Sequence, residues 1–208
     1  MSKTQKINKI KSCAQIYLIG YRTSGKTTVG KTLAKALSRK FIDSDKQIIK
    51  QNNMDIADIV KKYGWDFFRQ QEKTFINSIN PSDKLIIALG GGAIIDSDNI
   101  KTVKKNGTII FLKTSPDIIK KRLKNDKKTS QNRPPLSNAN SSCLHNAENG
   151  QKEKLCKRVT INEVDKILTE RTPIYNKASD LIINTDNKTI KQICQEINKC
   201  LYLPQNKN

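Results

Sequence analysis

The chain is short of several things that would each announce a function. It has one histidine (His145), one tryptophan (Trp65) and 5% aromatic residues in 208. With a single histidine in a Ser/Asn-rich stretch, a His-dependent nucleophile triad has little to build on. Few aromatics leave little for stacking successive bases. The five cysteines, Cys13, Cys143, Cys156, Cys194 and Cys200, are odd in number and widely spaced, with no C-x-x-C pair. That excludes the usual zinc spacings and a disulfide framework, and reduced thiols are the expectation. Long apolar runs are missing too. Ile16–Ile19 and Leu85–Leu89 are among the longest, whereas a membrane helix needs roughly 20 residues. No secretory or Arg-rich transit pattern opens the sequence, so a soluble, cytoplasmic protein is expected.

Acidic charge is also scarce. There are 39 Lys+Arg against 19 Asp+Glu, a formal net charge of +20. Such a balance suits nucleic acid or another anionic surface. It equally suits a solvated lysine coat, because 32 of the basic residues are Lys and Asn is abundant at 20. The seven arginines, Arg22, Arg39, Arg69, Arg122, Arg133, Arg158 and Arg171, carry more information. Arginine forks onto carboxylates and phosphates, where lysine is a point charge.

Hydrophobic periodicity divides the chain into short apolar runs alternating with helical patterns. Strands are expected at Gln15–Ile19, Phe41–Ile42, Leu85–Leu89, Thr108–Leu112 and Leu181–Ile183. Helices are expected at Lys26–Arg39, Lys46–Asn52, Asp55–Tyr63, Trp65–Ile79, Asp96–Asn106, Thr160–Ile174 and Thr189–Leu201, with Gly64 stopping one and Gly107 ending another. Ser115 and Pro116 read as an N-cap and first-turn proline for a helix to about Leu123. This alternation predicts an α/β fold, a parallel sheet covered by helices on both faces. Residues 1–14 read as a basic arm, 15–203 as one domain and 204–208 as a tail. Within the domain, about 125–160 is polar, contains Arg133-Pro134-Pro135, and has the length of a lid or binding loop, or of an insertion without a role.

Six constellations carry chemistry. Gly20-Tyr21-Arg22-Thr23-Ser24-Gly25-Lys26-Thr27 fits G-x-x-x-x-G-K-[ST] between a strand and a helix, the context a phosphate-binding loop needs. Its glycines let backbone N–H groups face phosphates at a helix N-terminus. Lys26 would reach the β- and γ-phosphates and Thr27 a Mg²⁺ ion. Asp43-Ser44-Asp45 ends a strand. On extended chain its two carboxylates point the same way, one toward Mg²⁺ and one toward a substrate hydroxyl. As a helix N-cap pair they would do neither, and position alone leaves both open. Arg69 and Glu72 lie i, i+3 on a helix and pair there. Gly90-Gly91-Gly92 follows a buried strand and exposes bare backbone to a ligand. Arg133-Pro134-Pro135-Leu136 and Glu170-Arg171-Thr172-Pro173-Ile174-Tyr175 complete the set.

In this order the motifs resemble those of shikimate kinases, small P-loop kinases related to the nucleoside monophosphate kinases. The resemblance runs from about Gln15 to Leu201. It implies a three-layer fold with five parallel strands in the order 2-3-1-4-5, a long lid, and transfer of the γ-phosphate of ATP, with Mg²⁺, to the 3-hydroxyl of shikimate. ATP would be met by Gly20, Thr23, Ser24, Gly25, Lys26, Thr27 and Thr28, by Arg122 along the adenine, and by Arg133 from the lid. Asp43 matches the magnesium-associated aspartate, beside Thr27. Asp45 matches the residue that binds the substrate hydroxyls and acts as base. Arg69 and Arg171 match the pair gripping the substrate carboxylate, Glu72 orients the first, and Gly91, flanked by Gly90 and Gly92, is a backbone donor to the substrate. Lys26, Asp45 and Arg133 are thus the expected catalytic set.

The span from Arg133 to Arg171, 38 residues, is about twice what the resemblance implies, with the surplus near Ser137–Val159. A monomer with no membrane or nucleic-acid partner is expected. A gluconate- or nucleotide-type kinase would not need Arg69, Arg171 and the triple glycine together. A nucleic-acid-stimulated ATPase would rest on the +20 charge alone.

Overall fold

A computed structural model describes residues 15–125, 161 and 163–202. The basic arm 1–14, almost all of the lid segment, Arg133, His145 and the tail lie outside the described residues. Five strands form one parallel sheet: β1 (Gln15–Ile19), β2 (Lys40–Asp43), β3 (Leu85–Ala88), β4 (Gly107–Lys113) and β5 (Leu181–Asn184). Their spatial order is β2-β3-β1-β4-β5. The order implied by the resemblance is the observed one.

The helices are α1 (Lys26–Ala36), α2 (Ser44–Asn52), α3 (Ile56–Ser78), α4 (Ser97–Asn106), α5 (Pro116–Asn125), α6 (Val164–Ala178) and α7 (Ile190–Tyr202). Alternation along the central strands decides which helices cover which face. Tyr17, Ile19, Leu85, Ile87, Ile109 and Phe111 pack with α3, α4 and α6. Ile16, Leu18, Ile86, Ile110 and Leu112 point the other way, onto α1 and α7. A third cluster joins α5 to α6 around Tyr21. A fourth, Ile48, Ile59 and Phe68, ties α2 to α3. Both faces are dry, as a parallel sheet requires.

One local reading holds and two need correction. Residues 56–78 run as one span, but Gly64 inside it has φ 82, ψ 172. The expected stop at Gly64, with helix on either side, is present as a kink. Gly107 ends α4 with extended backbone and opens β4, so it is not a left-handed cap. The last helix before β5 runs past Pro173 to Ala178. Proline removes one backbone donor there, and packing on the sheet carries the helix through.

Candidate active site

All five strands end on one side of the sheet, and a cleft of about 1080 Å³ opens there. This is where ligands bind in open parallel sheets. One end is contiguous sequence. Gly20 and Gly25 have φ 143 and 100, values that a side chain makes costly, and they turn the loop from β1 into α1. Thr23, at φ 62, adopts a left-handed conformation without being glycine. Lys26 Nζ donates to the carbonyls of Gly20 and Tyr21 at 2.8 and 2.9 Å, so it lies across the loop it follows. Thr28 lines the cleft. Ser24 does not. Its side chain is buried against the loop and lines a smaller cavity instead.

The aspartate pair resolves in an unexpected way. Asp43 caps α2, accepting from Lys46 N at 3.4 Å, and the same carboxylate accepts from Thr27 Oγ1 at 2.8 Å. Asp45 already lies in the first turn of α2. The two carboxylates are not side by side on extended chain, because helix α2 starts between them. Asp43 faces the P-loop, and Asp45 faces Gly90, where an added Cβ would sit 2.6 Å from its Oδ1. Asp43 thus caps α2 and still leaves its carboxylate at the P-loop, so its capping role does not take it out of the cleft. Thr27 and Asp43 supply adjacent hard oxygen donors, a set that suits Mg²⁺.

The other end of the cleft is assembled from four distant segments. Arg69 and Glu72, on α3, form an ion pair. Arg69 also lies over the rings of Trp65 and Phe68, 5.0 and 5.6 Å from their centroids, within cation–π range of both. Gly90 N donates to Ser44 Oγ at 2.8 Å. A Cβ on Gly92 would run into the Arg69 guanidinium, so only glycine admits that arginine. Arg171 on α6 is buried and donates to the carbonyl of Gly91 at 3.3 Å. Tyr175 donates to the same carbonyl.

Glu72 is 1% exposed. Burial pushes its carboxyl up to about 7, with Asp45 adding to the rise and Arg69 and Arg171 opposing it. Its Oε1 is buried with no hydrogen-bond partner among the described residues, which adds to the cost of charging the carboxyl. Burial likewise raises the Tyr175 phenol, which keeps it a neutral donor.

Arg122 donates to Thr23 O at 2.9 Å and lines the cleft beside the loop after β5. Of the five arginines among the described residues, Arg22, Arg69, Arg122 and Arg171 line this cleft and Arg39 does not. Sequence reasoning gave no role to Ser44, Trp65, Phe68 and Tyr175. Ser44, Phe68 and Tyr175 lay inside singled-out motifs whose other residues drew the attention, and Trp65 read as ordinary helix core.

Among the described residues no three His, Cys, Asp or Glu side chains gather as a metal cluster. No helix among them is long and apolar enough to cross a membrane.

The comparisons with known proteins agree with this layout. Residues 22–202 match the family model described as shikimate kinase. A shikimate kinase of Syntrophus aciditrophicus is 36% identical over 182 residues, covering 88% of each chain. One of Hahella chejuensis is 34% identical over 193 residues, 93% of this chain and 88% of the relative. Among solved structures, shikimate kinase from Acinetobacter baumannii in complex with shikimate superposes with TM-score 0.70 at 28% identity, covering 95% of this chain and 96% of that one. The enzyme from Bacteroides thetaiotaomicron gives 0.72 at 26% identity, covering 91% and 99%. A family-model match over residues 22–202, with relatives above 30% identity across most of both chains, means that the chain belongs to the shikimate kinase family.

Proposed function

We propose that the protein transfers the γ-phosphate of ATP to the 3-hydroxyl of shikimate, giving shikimate 3-phosphate and ADP. One observation carries this reading. A phosphate-binding loop and a pair of arginines braced on a triple glycine open into the same cleft. The first suits a triphosphate and the second a small carboxylate. The solved relative from Acinetobacter baumannii is in complex with shikimate.

In the proposed arrangement the P-loop amides and Lys26 hold the phosphates, and Lys26 leaves the Gly20 and Tyr21 carbonyls to do so. Thr27 and Asp43 would hold Mg²⁺, which when bound neutralises phosphate charge. Arg122 lies along the adenine. Arg133, outside the described residues, is assigned from sequence to the migrating phosphoryl group. Arg69 and Arg171 grip the substrate carboxylate from two sides, with Glu72 fixing Arg69. Gly91, between Gly90 and Gly92, offers backbone to the ring substituents. Asp45 binds the hydroxyls and takes the proton of the attacking one. A bond forms from the 3-oxygen to the γ-phosphorus as the bond to the ADP oxygen breaks. Holding both reactants in register supplies most of the rate, because phosphoryl transfer needs little covalent help from the protein.

A coupled ADP-release assay over a panel of small acids and sugars tests this. Turnover dependent on shikimate and on Mg-ATP is the expected result. Turnover with gluconate or a nucleoside monophosphate instead, or stimulation by nucleic acid, sinks the assignment.

A further inference from the structure

Tyr175 has no part in the scheme above, yet it carries a hydroxyl where a plain ring would fill the space. It is 1% exposed, and its ring lies against Phe111 of β4 with centroids 5.1 Å apart. Burying a hydroxyl is costly unless it finds a partner. Here the partner is the carbonyl of Gly91. Arg171, one turn earlier on the same face of α6, donates to the same oxygen at 3.3 Å. Residues i and i+4 of a helix share a face, so α6 closes on this one carbonyl with two donors.

The consequence reaches further than one bond. A carbonyl held from one side fixes the plane of the Gly91–Gly92 peptide, because the trans amide is rigid and its N–H points the opposite way. Gly92 is the residue that Arg69 packs against, and an ideal Cβ at Gly91 lies 3.4 Å from the carbonyl of Gly20, which opens the P-loop. The turn thus touches Arg171 on one side, Arg69 on another and the phosphate loop on a third. A turn of three glycines has little stiffness of its own. The stiffness has to come from what grips it.

We propose that Tyr175 is a positioning residue for acid binding: its hydroxyl locks the Gly91–Gly92 peptide and keeps Arg171 and Arg69 in register for one carboxylate. This rests on the reading of the acid as shikimate. Tyr175→Phe keeps the ring and removes the hydroxyl. The expected result is a KM for shikimate raised roughly tenfold, the size of one lost hydrogen bond. KM for ATP and kcat stay within about twofold, and Tm within a few degrees.

Trp65, the only tryptophan, sits beside Arg69 and reports binding by fluorescence. The Kd for shikimate without ATP should rise by the same factor. A third readout needs no ligand. In the free protein the amide resonance of Gly92, in the peptide whose carbonyl Tyr175 holds, should move in the Phe variant. An unchanged shikimate KM and Kd overturns the proposal, as does a joint fall in kcat, both affinities and Tm. A wild-type protein that binds no shikimate defeats the proposed function. The Gly92 resonance then still judges the contact, and if it does not move the positioning role is lost as well.

Discussion

The two ends of the cleft are built by different means. The phosphate end is a single stretch, Gly20 to Thr28, shaped by backbone dihedrals and closed on itself by Lys26. The acid end draws Asp45 from α2, Arg69 and Glu72 from α3, the glycines from the turn after β3, and Arg171 from α6. Its side chains are held by tertiary contacts: Arg69 by Glu72, Trp65 and Phe68, and Arg171 by the Gly91 carbonyl that Tyr175 also bonds. A loop that stores its geometry in its own backbone tolerates variety inside it, which fits the Tyr21-Arg22-Thr23 interior. A site that stores its geometry in tertiary contacts fails when any support is removed.

Removing the lysine should show the sharpest separation of the two ends. In Lys26→Ala, kcat is expected to fall by about 10³-fold or more, while the Kd for shikimate read from Trp65 fluorescence stays within about twofold. A large loss of acid binding would mean that the ends are not independent. Arg69→Ala and Arg171→Ala come next. Each should raise the KM for shikimate on the order of 10²-fold and that for ATP by less than about threefold, since a charge-assisted contact to the acid alone is lost. Equal changes in both constants would contradict the carboxylate role.

Gly92→Ala puts a methyl group into the Arg69 guanidinium, the far end of a flexible side chain. The fold should survive and the KM for shikimate rise by about tenfold. An unchanged KM would show that Arg69 has room to move.

The smallest effect is on stability. Burial raises the Glu72 carboxyl from 4.5 to about 7. The folded state therefore keeps a proton that the unfolded chain has already lost, and stability declines as pH rises from about 4.5 to about 7. Glu72→Gln removes that dependence. Thermal melts should show the variant gaining on the wild type across this window, by roughly 5–10 °C. A constant difference with pH would place the carboxyl's pKa near its ordinary value.

Legibility in the sequence followed the same division. The P-loop could be read outright, because the spacing of Gly20, Gly25, Lys26 and Thr27 is itself the structure. The glycine kink at Gly64 was visible for the same reason, with helix expected and found on both sides. The pair Asp43 and Asp45 could not be settled. Whether α2 begins at Ser44 depends on how β2 meets β3 and how Ile48 packs on Ile59 and Phe68. Ser44 and Tyr175 lay inside recognisable motifs, yet nothing in the sequence said what either would bond. A serine between aspartates and a tyrosine near a helix end are common, and only their neighbours in space give them something to bond.

The lysine coat and the scarce arginines make the point on a larger scale. The sequence alone decided what depends on neighbours along the chain: the short apolar strands, the helical stripes, the phosphate loop, and the choice of arginine at a few positions. The fold decided which of those positions meet. Arg39 and Arg69 are the same residue type, yet only Arg69 lines the cleft. Tyr63 is 47% exposed, while Tyr175 is buried on the turn it holds. Side-chain chemistry is local, but burial and partnership arise from the crossing of distant segments at the strand ends.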